Sequence, residues 1–322
     1  MNQNLKNLRP VSDLKVGKWT ANEIIRQMYE GGGFTAKKVA DGVDILEEMS
    51  NKKECIKFLS FPADIIATGT RGIIKDLIKH KLVDVVITTC GTLDHDLARL
   101  WKNYYHGKFE ADDIELREKG INRLGNIFVP NESYGIILEK KMREILNEIY
   151  GKKETELGTS EIIRDFGKAI ENEKNAEESI VYWAYKNDIP VFVPGITDGA
   201  FGFQLFMFWQ NYKNFRVNLF KDEKALADIV FTAKNTGALM LGGGISKHHT
   251  IWWNQFRDGL NFAVFITTAM ESDGSLSGAR TREAISWGKI NEKAKHITIE
   301  GDVTVLLPLM ADALFERMKK KI

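Results

Sequence analysis

Short apolar runs rich in β-branched residues recur along the chain, and segments with helical periodicity follow them. The runs are residues 56–61, 83–89, 189–194, 238–241, 262–268 and 297–300. They are almost continuously apolar rather than alternating, which is typical of strands covered on both faces, as in a parallel sheet. The pattern therefore predicts six buried strands separated by helices.

Three other segments carry apolar residues at helical spacing on one face: residues 70–82, 221–234 and 308–319. The alternation of strands and helices predicts an α/β fold with a doubly wound, mainly parallel sheet flanked by helices, and an N-terminal helical extension. The charge-rich stretches 109–122 and 150–179 interrupt this alternation and are predicted to be solvated helix and loop. We expect residues 1–322 to form one domain.

Composition and charge exclude several classes of protein. Of 322 residues, 43% are hydrophobic, which a disordered chain does not reach. The formal net charge of +1 gives no general attraction to nucleic acid. No apolar stretch approaches the roughly 18 residues of a membrane span, and residues 1–10 lack the apolar run of a signal peptide. Cys55 and Cys90 are too few for a disulfide framework or a cysteine-based zinc site. We therefore expect a soluble, cytoplasmic protein with neither nucleic acid nor a membrane as partner.

Two glycine-containing segments directly follow predicted strands. Gly242, Gly243 and Gly244 come after the run 238–241, where glycines let a backbone approach a phosphate and the next helix directs N–H groups toward it. Residues 194–202 contain Asp198, which at a strand's carboxyl end can accept hydrogen bonds from ribose hydroxyls. The spacing differs from the usual dinucleotide-binding fingerprint, so tight turns remain the alternative for both segments.

A loop of small residues, 272–280, follows the strand predicted at 262–268 and offers hydroxyls and backbone N–H groups for a polar pocket. It leads to Trp287 and Lys289. A lysine in this position is most often exposed. If Lys289 is buried instead, its ammonium loses hydration, its pKa falls and it becomes a nucleophile able to form a Schiff base.

His248 and His249 are adjacent, and neighbouring helical side chains point in different directions. No carboxylate lies nearby at metal-ligand spacing, so we expect no metal site and assign His248 a hydrogen-bonding or substrate-orienting role.

Together these segments resemble the deoxyhypusine synthases over nearly the whole chain after about residue 20. The strongest stretch is 241–290, which contains in order Gly-Gly-Gly, Lys-His-His, Asp-Gly-Ser, Ser-Gly-Ala-Arg and Ser-Trp-Gly-Lys. Residues 68–71, 83–97, 120–131 and 189–202 support it. The segments 199–206, GAFGFQLF, and 247–256, KHHTIWWNQF, are similar to sequences of the archaeal branch of that family.

The resemblance implies an NAD-dependent transfer of the 4-aminobutyl group of spermidine to one lysine of the translation initiation factor 5A precursor, which forms deoxyhypusine. In that reaction a hydride passes from spermidine to NAD, and an enzyme lysine captures the butylamine fragment as an imine. The substrate lysine then takes over the fragment and the hydride returns. The resemblance also implies a Rossmann-like NAD-binding fold and a homotetramer with sites formed between paired subunits.

Site residues follow from the resemblance position by position. The implied catalytic residues are Lys289 as nucleophile, His248 for proton transfer and Glu283 for a distal ammonium group. The implied substrate-binding residues are Asp94, His95, Gly243, Trp287, Gly274 and Ser275, with Trp287 as a wall that keeps the lysine dry. The implied NAD-binding residues are Thr89, Cys90, Gly91, Asp198, Gly242, Gly244, Thr268, Ala269, Asp273, Ser277 and Asp302.

Several positions depart from the eukaryotic-type pattern. Phe203 and Leu276 stand where that type carries substrate-side aspartates, and Trp252, His95 and Asp64 replace an asparagine, a glutamate and an asparagine. These changes leave the polyamine specificity open, with a homospermidine synthase-like transferase that uses a small diamine acceptor as the alternative.

A catalytically silent NAD-binding subunit is a third hypothesis. The joint presence of Lys289, Trp287, Glu283 and His248 argues against it.

Overall fold

The computed structural model describes residues 8–151 and 155–318. Within these ranges the strands are β1 Cys55–Phe61, β2 Val85–Thr88, β3 Tyr105–His106, β4 Ile121–Leu124, β5 Ile127–Pro130, β6 Thr155–Leu157, β7 Val191–Phe192, β8 Phe215–Val217, β9 Asn235–Leu241, β10 Leu260–Thr267 and β11 Ile290–Glu300. The helices are α1 Ala21–Gly31, α2 Phe34–Asn51, α3 Thr70–Lys79, α4 Cys90–Trp101, α5 Asp113–Glu118, α6 Gly135–Tyr150, α7 Thr159–Ala169, α8 Ile180–Asn187, α9 Ala200–Asn211, α10 Leu219–Thr232, α11 Gly244–Asn254, α12 Glu283–Ser286 and α13 Val303–Met318.

The six predicted apolar runs form one six-stranded sheet in the order β11-β10-β9-β1-β2-β7, and every pairing in it is parallel. From the central β1 the chain builds outward through β2 and β7, then returns to the other side of β1 and continues through β9, β10 and β11. This confirms the predicted doubly wound sheet. The order reverses between β1 and β9, and in such folds the carboxyl ends of these two strands border a ligand crevice.

Both faces of the sheet are covered, as the continuous apolar runs require. In β10, Val264 and Ile266 belong to a core that includes α2, α3 and α13, whereas Ala263 and Phe265 belong to a second core with α10, α11 and α12. Helix α2 packs against β10 and β11. The predicted N-terminal helices are therefore present, and α2 is part of the layer that covers the sheet.

The predicted solvation of the stretch 150–179 is wrong for α7. Ile162, Ile163 and Phe166 on that helix are fully buried, because they form a narrow apolar stripe between charged residues that face solvent. The stretch 109–122 does contain the exposed helix α5, but it ends in β4, which pairs with β5 and then β3 in a small antiparallel sheet.

The helix predicted at 308–319 begins earlier, at Val303, and contains Pro308 within its second turn. The last predicted residue, Lys319, lies outside the described residues, as do residues 1–7 of the segment inspected for a signal peptide. No helix within 8–151 or 155–318 combines the length and the apolar character that crossing a bilayer requires.

Candidate active site

A cavity of about 210 Å³ lies on the face of the sheet that α11 and α12 cover, and Lys289 lines it together with His248, Glu283 and Trp287. These four residues come from α11, from α12 and from the turn that leads into β11. Lys289 is only 8% exposed. The structure therefore brings the predicted nucleophile and the residues predicted around it into one cavity and places the lysine inside the fold.

Three rings surround the amine of Lys289. Its Nζ lies 3.5 Å from Nε2 of His248 and 5.1 Å and 5.8 Å from the ring centroids of Trp287 and Trp252. Burial, and next to it the charge of Lys289, lower the pKa of His248 below its ordinary value of 6.5. His248 is consequently neutral at pH 7 and its ring has a free lone pair to accept a proton.

Trp287 lies beside the lysine but does not cover it within this chain, since it is 66% exposed. Gly288, with φ of +66°, reverses the chain between the two residues, so the indole stays at the rim while the lysine turns inward. Trp287 thus contacts the lysine from the rim, and its role as a wall that keeps the amine dry stays a prediction. Burial of Lys289 comes from the packing around β11 and α11.

Sequence reasoning missed the role of a second lysine in the same cavity. Lys247 is 3% exposed, and its Nζ donates hydrogen bonds to the carbonyls of Leu276 and Ala279 at 2.7 and 2.6 Å. Burial lowers the pKa of Lys247 to about 7. Its amine lies 3.6 Å from the ring centroid of Phe265. Lys247 thus ties the loop 272–280 to α11, and both hydrogen bonds hold its amine in place.

The sequence contains a pattern that indicates hydrogen bonding on the inward face of α11. Ser246, Thr250 and Asn254 are buried and follow one another at intervals of four residues, beside Lys247. A helix whose inward face carries such residues must satisfy them with hydrogen bonds. The hydroxyl of Thr250 donates a hydrogen bond to the backbone carbonyl of Ser246, and the side-chain amide of Asn254 donates one to the backbone carbonyl of Thr250.

A crevice lies at the carboxyl ends of β1, β9 and β10, at the point where the strand order reverses. Predicted cofactor and substrate residues line it, namely Gly242, Gly243, Thr268, Ala269, Ser277 and Asp302, together with Asp64. Gly242 and Gly244 have φ of +64° and +72°, in the left-handed region. A Cβ on Gly243 would lie 2.2 Å from Oγ of Ser277. Gly243 therefore allows the strand end to contact the loop 272–280.

The crevice and the lysine cavity share one wall. Leu276 lines the lysine cavity and Ser277, the next residue, lines the crevice. The carbonyl of Leu276 accepts the hydrogen bond from Lys247. The two cavities thus adjoin at residues 276 and 277, while Lys289 itself enters its cavity from the amino end of β11.

Three predicted residues of this loop, Asp273, Gly274 and Ser275, lie at its exposed tip and line neither cavity. The carboxylate of Asp273 accepts a hydrogen bond from the N–H of Ser275 at 2.7 Å. A hydrogen bond from the Ser275 hydroxyl, and after it this backbone contact, lower the pKa of Asp273. Within this chain, Asp273, Gly274 and Ser275 form the turn at the tip of the loop 272–280.

The remaining predicted residues form a separate group at the carboxyl end of β2, around the start of α4: Thr89, Cys90, Gly91, Asp94, His95 and, on the loop before α9, Asp198. Asp94 is buried, and its carboxylate accepts hydrogen bonds from Oη of Tyr134 and from the N–H groups of Ala200 and Phe201 at 2.7, 2.9 and 2.7 Å. Desolvation raises the pKa of Asp94. In this chain Asp94 caps the N-terminus of α9.

The neighbours of Asp94 are buried as well. Nδ1 of His95 is 2.9 Å from Oη of Tyr104, and burial, with a smaller effect of Arg99, lowers the pKa of His95 to about 4. Burial raises the pKa of the Cys90 thiol to about 12. Cys90 is therefore a protonated, unreactive thiol at neutral pH.

The structure does not bring Asp94 and His95 to Lys289 within one chain. β2 is four strands from β11 in the sheet, and at about 4.8 Å per strand this is about 19 Å. Lys289 also precedes its strand, whereas Asp94 follows the carboxyl end of β2.

No cluster of three His, Cys, Asp or Glu side chains suited to a metal ion occurs among residues 8–151 and 155–318. The titratable side chains that line the cavity around Lys289 include those of His248 and Glu283.

Comparison with known proteins identifies the family of this chain. The sequence model of the family described as deoxyhypusine synthase matches residues 23–314. A probable deoxyhypusine synthase of Picrophilus torridus is 57% identical over 311 residues, which are 96% of this chain and 98% of that protein. One from Thermoplasma acidophilum is 54% identical over 94% of this chain and 96% of its own length.

The fold is also found among solved structures. A crystal structure described as a deoxyhypusine synthase from Entamoeba histolytica has a TM-score of 0.65 at 19% identity and covers 91% of this chain and 92% of its own. At that identity the likeness concerns the fold alone. The family match and the archaeal relatives, each spanning nearly the full chain, show that this protein is an enzyme of the deoxyhypusine synthase family.

Proposed function

We propose that the protein transfers the 4-aminobutyl group of spermidine to one lysine of the translation initiation factor 5A precursor in the cytoplasm, with NAD as a resident cofactor and Lys289 as the covalent carrier. The observation that carries this proposal is the placement of Lys289. It is a buried lysine within 3.5 Å of a neutral histidine, in a cavity that shares a wall with a glycine-lined crevice.

The crevice fits a dinucleotide. It lies at the switch point of a doubly wound sheet, and the positive φ of Gly242 and Gly244 leaves backbone without side chains at the strand end. Asp302 and Asp64 offer carboxylates for ribose hydroxyls, and Thr268 and Ser277 offer hydroxyls. Bound NAD would accept one hydride from the donor amine and return it to the product.

Lys289 and His248 would carry out the exchange of amines. The Nζ of Lys289 attacks the oxidised donor carbon, its proton passes to Nε2 of His248, and the three-carbon diamine leaves with a proton. The four-carbon fragment is then held on Lys289 as an imine. The acceptor lysine attacks the same carbon and the C–N bond to Lys289 breaks, which restores the free lysine.

Glu283 lines the cavity and supplies a carboxylate for the distal ammonium group of the fragment. Asp94 and His95, about 19 Å away across the sheet, would meet a lysine cavity only in another subunit. We therefore propose that paired subunits complete each site in a homotetramer. The separation within one chain supports this arrangement.

The acceptor decides between the two transferases that this cavity could serve. The purified chain is incubated with spermidine and NAD, together with either the factor 5A precursor or putrescine, and the products are read by mass spectrometry. The proposal expects an aminobutyl group on one lysine of the precursor. Homospermidine from putrescine, with an unmodified precursor, would instead identify a polyamine transferase. Failure of both acceptors in protein that binds NAD would indicate a silent subunit.

A further inference from the structure

The amine of Lys289 lies close to two indole rings. Its Nζ is 5.1 Å from the ring centroid of Trp287 and 5.8 Å from that of Trp252, both within the distance of about 6 Å at which a ring attracts a cation. Trp287 precedes Lys289 by two residues, whereas Trp252 comes from α11. Two distant segments of the chain thus present aromatic faces to one amine.

Trp252 is held in place on both sides. It follows His248 by one helical turn, and their rings lie 5.8 Å apart at 30°. Phe256 packs edge-on against its other side at 5.8 Å. Even so, Trp252 is 42% exposed. A fixed ring with open surface beside the reacting lysine can bind a ligand with little loss of conformational entropy.

The charged side chains of the cavity offer few partners for a cationic donor, and an aromatic ring would add one. Of the described residues that line it, Lys247, Arg280 and Lys289 are basic, and Glu283 supplies the carboxylate. Leu276 contributes an apolar side chain where the eukaryotic-type pattern has an aspartate. Within one chain, Glu283 is the only carboxylate among the described residues that line the cavity, so a polyamine with several positive charges needs further partners there. An aromatic face attracts a cation without adding a carboxylate that would pair with Lys289.

We infer that Trp252 and Trp287, the two indoles beside the amine of Lys289, act as an aromatic pair that binds an ammonium group of the polyamine donor. This inference rests on the proposed function and deepens it, because it assigns recognition of the donor to Trp252, a residue that differs from the asparagine of the eukaryotic-type pattern. Trp252 is then a specificity-determining residue, and the pair substitutes for the missing carboxylate at position 276.

The test replaces the ring and measures donor recognition separately from chemistry. Trp252→Leu removes the aromatic face and Trp252→Phe keeps one, and formation of the borohydride-trapped adduct on Lys289 is followed against spermidine concentration. We expect Trp252→Leu to raise the half-saturating spermidine concentration by about 5- to 30-fold, with the limiting rate changed less than 3-fold. Trp252→Phe should recover most of the affinity.

Trp183→Leu is the matched control. Trp183 lies on α8, and Nζ of Lys79 lies 4.6 Å from the centroid of its ring. Trp183→Leu therefore removes a comparable cation–ring contact that lies outside the cavity. This variant should bind spermidine as wild type does. A donor analogue that ends in a methyl group instead of an ammonium provides a second readout, since wild type should discriminate against it more strongly than Trp252→Leu does.

The inference would be overturned if wild type and Trp252→Leu had the same half-saturating spermidine concentration and discriminated equally against the methyl-ended analogue. It would also be overturned if Trp252→Leu lowered only the limiting rate. If wild type itself formed no adduct, the proposed function would fail. Equilibrium dialysis of spermidine against the same variants would then still decide whether the aromatic pair binds the polyamine.

Discussion

Nζ of Lys289 and Nε2 of His248 lie 3.5 Å apart, although the two residues are 41 positions apart in the sequence. One side chain leads into β11 and the other projects from the second turn of α11. The pairing places a proton acceptor beside the predicted nucleophile. Because His248 is neutral at pH 7, it can take the proton that the lysine must lose before it attacks carbon.

His248 should therefore set the acid limb of the activity profile. Its pKa lies below 6.5, so activity should be constant near neutrality and fall as pH drops below 6.5 and the imidazole becomes protonated. His248→Gln keeps a polar side chain but removes the base, and we expect about a 100-fold lower limiting rate without that limb. Initial rates between pH 5 and 8 check this, and an unchanged acid limb in His248→Gln would assign it to another group.

Lys247 should stabilise the loop 272–280. Lys247→Met leaves the carbonyls of Leu276 and Ala279 without their donors, which should cost about 1–3 kcal/mol of unfolding free energy. NAD affinity should fall as well, because Ser277 lies in the same loop. Chemical denaturation and NAD titration measure the two effects. Lys224→Met, a change at an exposed lysine that pairs with Asp228 on α10, is the control and should alter neither.

The pH dependence of that stability has a defined sign. The pKa of Lys247 is about 7 in the fold against 10.5 when unfolded, so between these values the unfolded chain holds a proton that the folded chain has lost. Stability due to Lys247 therefore rises with pH above 7. The difference in unfolding free energy between wild type and Lys247→Met should grow from pH 7 to pH 9. A difference independent of pH would contradict the shifted pKa.

Asp94 should have a structural role within its own chain. Asp94→Asn replaces one acceptor oxygen by an amide that faces the donors Tyr134, Ala200 and Phe201. We expect a loss of about 1–3 kcal/mol of stability. Thermal unfolding of the variant measures it. An unchanged melting temperature together with weaker spermidine binding would instead mean that Asp94 serves the substrate alone.

Gly243→Ala should close the crevice. The new Cβ would lie 2.4 Å from the backbone Cα of Ser277, and a backbone atom cannot rotate away. The loop 272–280 must then move off the strand end, and we expect at least a 10-fold loss of NAD affinity, measured by titration calorimetry. Gly72→Ala, where nothing lies within 4 Å, is the matched control. Wild-type NAD affinity in Gly243→Ala would show that the dinucleotide binds elsewhere.

Much of the fold could be predicted because its strands are buried on both faces and so lack polar residues. All six strands of the main sheet were recognisable as apolar runs. The strands β3 to β6 and β8 were not, since each has two to four residues. β2 and β7 are equally short, but they lie within the longer apolar runs 83–89 and 189–194. Helix α7 was hidden because its charged outer face outweighs the narrow stripe around Phe166.

The site was predicted only as far as residues near in sequence determine it. His248, Glu283, Trp287 and Lys289 lie within one strong stretch of resemblance, and the fold brings them together. Asp94 could not be placed, because its distance from Lys289 depends on the order of strands in the sheet. The roles of Lys247 and Trp252 depend on contacts with carbonyls and with an amine that spacing does not reveal.

Borohydride trapping of the chain incubated with spermidine and NAD, followed by peptide mapping, identifies the lysine that carries the butylamine fragment. Two buried lysines line the cavity, but the amine of Lys247 is engaged by two carbonyls whereas that of Lys289 faces His248. The adduct should therefore map to Lys289 and disappear in Lys289→Ala, which should still bind NAD within about 2-fold, well under the 10-fold that corresponds to 1.4 kcal/mol. An adduct on Lys247, or normal product from Lys289→Ala, would contradict the assignment of Lys289 as the nucleophile.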